Sequence, residues 1–234
     1  MILAAGLGTR LKPFTEKHPK ALAMVNGKTL LEHNIVYLQQ FGIRDVVVNV
    51  HHFATQIEEA LQQNNGFGSR FQISDERHEV LETGGGLLHA FPLLGEENFV
   101  VMNVDILTNF NMAAMIDSHG KKNNPVATLA VMKRSSSRQL LFDKDFSLSG
   151  WRNKISNEEK ISRATNSQEF AFSGIQIISP HFFSLNKMKG KFSVIDAYLD
   201  IAKANIIKGF DHTGDLLLDV GKSESLALAE QLFT

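Results

Sequence analysis

Apolar residues in this chain come in two alternating textures. Residues 1–5, 46–50, 99–104 and 125–132 are short, nearly continuous apolar runs. Runs of that length suit strands of a parallel sheet buried on both faces. Between them, apolar positions recur at helical spacing. Residues 29–41 carry Leu30, Leu31, Ile35, Leu38 and Phe41, and Gly42 stands where a helix C-cap belongs. Residues 54–63 put Ile57, Ala60 and Leu61 on one face, and residues 71–73 make a further short strand. Asn111 is placed to cap a helix running to about residue 121. Residues 192–205 predict another helix. Ser223 is placed to cap a last one over 224–233, with Leu226, Ala229 and Phe233 facing inward. This succession predicts an α/β fold: a doubly wound, mostly parallel sheet flanked by helices.

The texture changes over residues 133–169. Ser135, Ser136 and Ser137 predict a flexible turn, and residues 140–143 and 146–151 flank Lys144-Asp145 as a hairpin would. Residues 153–167 are polar and charged. The segment reads as an inserted excursion, either a mobile lid or a surface loop without function. Residues 170–178 return to the core as a strand. No repeat or linker interrupts 1–234, so the expectation is a single domain carrying one insertion.

Composition narrows the function classes. The 234 residues are 43% hydrophobic and 21% charged, ordinary for a globular protein. A net charge of −1 gives no basic field to attract nucleic acid or a membrane surface. The absence of cysteine excludes disulfides and thiolate zinc sites and fits a reducing compartment. The first apolar run is too short for a signal peptide, and no stretch approaches a membrane span. The expectation is a cytoplasmic protein.

The candidate chemistry begins where the first strand ends. Gly6 and Gly8 lack Cβ atoms, so backbone N–H groups there can close around an anion. Arg10, Lys12 and Lys20 follow within a loop's reach. The alternative for the glycines alone is an ordinary tight turn. Two familiar phosphate loops fail on spacing. The dinucleotide fingerprint needs a third glycine where Leu11 stands. The P-loop needs a glycine where Leu22 precedes Gly27-Lys28-Thr29 and where Leu216 precedes Gly221-Lys222-Ser223. Further on, Gly84-Gly85-Gly86 reads as a loop entering a helix, either a hinge or a wall for a flat ring with free N–H groups. Asp105 ends the run over 99–104 as a hard oxygen donor at the sheet edge, or as a simple loop cap. His51-His52 reads as two loop residues, since adjacent histidines point apart and make a poor metal pair.

Leu3-Ala4-Ala5-Gly6-Leu7-Gly8-Thr9-Arg10-Leu11-Lys12-Pro13, with Pro19-Lys20 behind it, resembles the nucleotidyltransferases that activate sugar 1-phosphates. That likeness extends over essentially the whole chain. It implies a Rossmann-like, glycosyltransferase-A-type fold and transfer of a nucleotidyl group from a nucleoside triphosphate to a sugar 1-phosphate, with release of pyrophosphate. It implies nucleotide contacts from Leu3, Ala4, Ala5, Gly6, Gly8, Thr9, Glu82, Thr83 and Gly84. Arg10, Lys20 and Asp105 would be catalytic, and Asp105 with Asp219 of Asp219-Val220-Gly221 would hold Mg²⁺. Asn103, Ser173 and Gly174 would touch the sugar. Leu81-Glu82-Thr83-Gly84-Gly85-Gly86 and Phe172-Ser173-Gly174-Ile175 resemble the members that make UDP-N-acetylmuramic acid in cell-wall recycling. Mannose 1-phosphate with GTP, and glucose 1-phosphate with UTP or dTTP, are the alternatives. Two departures stand out: Val104 replaces a small residue before the metal aspartate, and Leu217 stands where relatives often have Trp.

The implied reaction needs no general base, because a sugar phosphate is already ionised at neutral pH. The absence of a convincing His/carboxylate pair therefore agrees with it. A non-catalytic nucleotide-sugar-binding module predicts a broken charge set, whereas Arg10, Lys20, Asp105 and Asp219 are all present. A nicotinamide oxidoreductase would need an acidic residue after the second strand, where His51 and His52 stand. Nothing in the sequence fixes the oligomeric state.

Overall fold

In a computed structural model describing residues 1–121 and 124–233, the alternating textures become a mixed sheet with helices on both faces. In chain order the elements are β1 (Ile2–Leu3), β2 (Met24–Val25), β3 (Lys28–Thr29), α1 (Leu30–Gln39), β4 (Asp45–Val50), α2 (Ala54–Gln63) and β5 (Arg70–Asp75). Then come α3 (Glu82–Leu94), β6 (Phe99–Asn103), β7 (Ile106–Thr108), α4 (Met112–Gly120), β8 (Ala127–Met132), β9 (Arg138–Phe142), β10 (Leu148–Asn153) and β11 (Glu158–Ile161). The chain closes with β12 (Gln168–Ile178), α5 (His181–Leu185), α6 (Val194–Ile201), β13 (Ile207–Asp211), β14 (Leu217–Asp219) and α7 (Ser223–Leu232).

The ten-stranded sheet runs β11-β10-β9-β12-β6-β1-β4-β5, with β8 also on β12 and β13 on β8. β6, β1, β4 and β5 are parallel neighbours. β12 is antiparallel to both β6 and β8, so β8 points the same way as β6. The carboxyl ends of β1, β4, β5, β6 and β8 therefore open onto one edge, where sheets of this kind take ligands. Each face of the sheet has its own core. Leu31, Ile35 and Leu38 of α1 join Ile57 and Leu61 of α2 on one side. Leu87 and Ala90 of α3 join Phe182 and Tyr198 of α5 and α6 on the other. Each fully buried leucine, isoleucine or phenylalanine among these contributes about 1.5–3 kcal/mol.

Local signals act as the residue types dictate. Thr29 caps α1, accepting from the Glu32 N–H at 3.0 Å, and Gly42 follows with φ +79°. Asn111 caps α4 through the Ala114 N–H at 3.4 Å. α6 is shorter than its pattern suggests, because Ser193 caps it at Ile195 and the chain turns out after residue 201. Ser223 is the first residue of α7 rather than its cap, and its side chain makes no capping bond.

The excursion is an ordered extension of the sheet. The hairpin is β9 and β10 with Lys144-Asp145 at its turn, and residues 158–161 add β11 to β10. Charges that read as a solvated loop pair across strands instead. Arg152 meets Glu159 and Glu169, Lys154 reaches Glu169 at 2.6 Å, and Lys160 reaches Asp196 of α6 at 2.8 Å.

Candidate active site

The phosphate-type loop leaves β1 and turns back at once. Residues 9–11 wind a single tight turn, closed by the Leu11 N–H on the Gly8 carbonyl at 2.9 Å. Gly8 has φ +61°, and a Cβ there would lie 2.9 Å from Thr15 Cγ2 and 3.0 Å from Lys20 Cβ. Only glycine lets the loop fold onto the Lys20 segment. Gly6 is different, with no atom within 4 Å of where its Cβ would stand.

Behind that loop Lys20 is 8% exposed, and its ammonium donates to Asp105 Oδ2. Asp105 sits just past β6, and β7 then pairs antiparallel with β14, placing Ile106 opposite Asp219. Two carboxylates distant in sequence are brought together by that small ladder, and the Val220 N–H donates to the Asp105 carbonyl at 2.8 Å. Burial, followed by the neighbouring Asp105 charge, raises the Asp219 pKa; Lys20, Arg10 and Arg134 work the other way. Arg10 lies 3.9 Å from Asp219. A Cβ on Gly221 would fall 2.7 Å from that guanidinium, so glycine lets Arg10 pass.

Among the described residues no three His, Cys, Asp or Glu side chains cluster as a complete metal cage. Two neighbouring carboxylates, with oxygen donors only, fit a hard divalent ion that completes its shell from substrate phosphates and water. Asp105 and Asp219 are the residues that would hold it.

A cleft of about 300 Å³ opens at this point. Leu3, Ala4, Ala5, Gly6, Gly8 and Thr9, from the end of β1 and its loop, line it. Arg10, Lys20, Asn103 and Asp105 line it as well, as do Glu82 and Thr83 from the start of α3. Other expected positions fall elsewhere. Lys12 points away from the cleft toward Glu16, at 3.5 Å. Gly84 is no free donor, because its N–H bonds the Phe192 carbonyl at 2.9 Å. The three glycines lie inside α3 rather than in a loop before it. A Cβ would stand 2.3 Å from the Phe192 ring at Gly84, 2.2 Å from the Gly190 carbonyl at Gly85 and 2.6 Å from Glu76 Oε1 at Gly86. They serve close packing of α3 rather than an open wall. Ser173 is fully buried, its hydroxyl 2.7 Å from His212 Nε2, and is not among the residues that line the cleft. Gly174, with φ +75°, packs behind Asn103 Nδ2 and reaches the cleft only through it.

The sequence reading missed Asn49 and Glu76. Asn49 is 2% exposed, accepts from the Ala4 N–H and donates to Glu76 Oε1, both at 2.7 Å. Both residues line the cleft, and together they join the end of β1 to the segment leading into α3. A lone amide in the apolar run over 46–50 was the available signal. Burial raises the Glu76 pKa above the ordinary 4.5, with the Asn49 hydrogen bond opposing. The folded state therefore holds its proton longer than the unfolded chain, and stability falls as pH rises from the ordinary value through the raised one. Glu76→Gln removes that dependence. Its melting temperature relative to the wild type should rise between acidic and neutral pH, as paired thermal melts would record; a constant difference would contradict it.

Residues 1–142 match the family model described as nucleotidyl transferase. Over 232 residues the chain is 31% identical to N-acetylmuramate alpha-1-phosphate uridylyltransferase of Neisseria meningitidis serogroup B, covering 99% of this chain and 96% of that protein. It is 45% identical over 120 residues to the protein of the same name from Caulobacter vibrioides, a match spanning half of either chain. The structure of HddC from Yersinia pseudotuberculosis complexed with GMP-PN superposes with a TM-score of 0.78, at 24% identity, over 100% of this chain and 98% of that one. A loop built on Gly8, a lysine on the strand-end aspartate and a second aspartate beside it thus stand within a match of nearly full length. On these grounds the chain belongs to the nucleotidyl transferase family, among the members that act on sugar 1-phosphates.

Proposed function

We propose that the chain joins UTP to N-acetylmuramic acid 1-phosphate, giving UDP-N-acetylmuramic acid and pyrophosphate. The observation that carries this reading is the meeting of Lys20, Asp105, Asp219 and Arg10 beside the cleft. The choice of substrates is supported by the names of the Neisseria and Caulobacter relatives.

A phosphate oxygen of the sugar attacks the α-phosphorus, and the bond to the bridging oxygen of pyrophosphate breaks in line. Both partners are anions, so positioning and neutralisation carry the catalysis. Lys20 neutralises the phosphates that meet at the α-phosphorus. Arg10 receives charge developing on the departing pyrophosphate. Gly6 and Gly8 let backbone N–H groups approach the triphosphate. Glu82 and Thr83 take the base end of the cleft, and Asn103 faces the sugar. Mg²⁺, when held by Asp105 and Asp219, would supply charge neutralisation to both substrates. On this reading residues 1–234 act as one nucleotidyltransferase domain in the cytoplasm, reusing cell-wall sugar.

The test is pyrophosphate release over a grid of nucleoside triphosphates and sugar 1-phosphates, with Mg²⁺ and with a chelator. The expected result is one strong combination, UTP with N-acetylmuramic acid 1-phosphate, abolished by the chelator and in Asp105→Ala. A different strong combination would replace the substrates and keep the reaction. An empty grid with thermal stabilisation by a nucleotide sugar would favour a non-catalytic binding module.

A further inference from the structure

We propose that Arg134 selects sugar 1-phosphates that bear a carboxylate, gripping that carboxylate on the side of Asp105 and Asp219 away from the nucleotide. The inference rests on the substrate reading above: the lactyl ether of N-acetylmuramic acid ends in a carboxylate, and the corresponding N-acetylglucosamine lacks it.

Sheet order gives the placement. Along the substrate edge the strands run β5, β4, β1, β6, β12, β8. Glu76 follows β5 at the base end, the glycine loop follows β1, and Asp105 follows β6. Arg134 stands two residues beyond β8, which points the same way. Neighbouring strands lie about 4.8 Å apart, so Arg134 emerges about 10 Å past the strand of Asp105, within the span of a sugar ring and one ether arm. A nucleotide lying from β5 to β6 leaves this end of the edge to the sugar.

The side chain is anchored at one nitrogen and otherwise exposed. One terminal nitrogen donates to the Phe172 carbonyl at 3.0 Å. That carbonyl stands where β12 loses register with β8, between Phe172 and Gln176. The break contains Gly174, packed on Asn103 of the cleft. A guanidinium has five N–H donors, and most of these remain for a ligand. Lys20 and Arg10 already face Asp105 and Asp219, whereas among the described residues Arg134 has no ion-pair partner. Arg134 is exposed at the sheet edge, so its fork is open to an incoming anion. The planar fork matches a carboxylate through two parallel hydrogen bonds. A neutral sugar offers it nothing comparable.

The experiment compares wild type, Arg134→Gln and Arg134→Lys with UTP and either N-acetylmuramic acid 1-phosphate or N-acetylglucosamine 1-phosphate. Arg134→Gln should raise KM for the carboxylate-bearing sugar about ten- to a hundredfold, the scale of a charge-assisted pair, with kcat little changed. KM for the neutral sugar should stay where it was, so the preference collapses. Arg134→Lys should recover part of the loss, and it carries the test if a thermal melt finds Arg134→Gln unfolded. An equal rise for both sugars, or no rise, overturns the proposal. A wild type that turns over only neutral sugar 1-phosphates overturns it while leaving nucleotidyl transfer intact. If no sugar 1-phosphate is turned over, the reading of the site fails with it.

Discussion

Lys20→Ala should lower turnover by about a hundred- to a thousandfold, the usual consequence of removing one preorganised electrostatic stabiliser. Its ammonium has no substitute in reach: Arg10 lies beside Asp219, and Lys12 turns toward Glu16. Alanine keeps the Cβ that packs near Gly8, so the loop retains its support while the charge goes. Asp105→Ala should cost about as much. The double variant should lose far less than the product of the two, since the groups touch and act as a unit. Single-turnover kinetics of the three variants, beside thermal melts, measure this. Near-normal turnover in either single variant would remove Lys20 and Asp105 from the chemistry.

Gly85→Ala should unfold the protein several degrees earlier, although alanine is the better helix former. The added Cβ would lie 2.2 Å from the Gly190 carbonyl, a backbone atom that cannot rotate aside. Nor can α3 move away freely. The Gly84 N–H bonds the Phe192 carbonyl at 2.9 Å, and the Val194 N–H bonds the Thr83 hydroxyl at 3.0 Å. Overpacking of this kind costs about 1–3 kcal/mol or more, against a gain near 1 kcal/mol in helix propensity. Each net kcal/mol lowers Tm by about 2–4 °C in a chain of this length. KM for the nucleotide should rise as well, because Glu82 and Thr83 on the same turn line the cleft. Gly120→Ala is the comparison, since nothing lies within 4 Å of its Cβ position. Equal melts for the two variants would mean that the contact at Gly190 is not a tight one.

These two sites also mark what the sequence could and could not convey. The strand-end Asp105 and the Gly6–Lys20 stretch are local patterns, and the structure puts Gly6, Gly8, Thr9, Arg10, Lys20 and Asp105 into one cleft. The meeting of Asp105 with Asp219 depends on a three-residue ladder between β7 and β14, too short to announce itself by periodicity. The triple glycine read as a hinge or a ligand wall because the partners of Gly84 and Gly85 lie about a hundred residues away, at Phe192 and Gly190. Ser173 is not among the cleft-lining residues for a different reason. Alternation along β12 and the break in its register decide which side chains face the edge, and Ser173 turns inward to His212. Asn49 was hidden by its apolar neighbours, and Arg134 by a segment whose polarity suggested a free loop. That segment became sheet because its charges pair across strands, which composition alone does not express.

The same cross-strand charges have a consequence for life in a crowded solution. β11 ends the sheet, and its outer row of backbone donors and acceptors is open to any chain able to add a strand. All four of its residues, Glu158, Glu159, Lys160 and Ile161, are exposed. Three of the four carry a charge, and Lys160 and Glu159 are tied to Asp196 and Arg152, so an added strand would have to cover charged side chains. The extension that widens the sheet therefore also guards its end against lateral self-association.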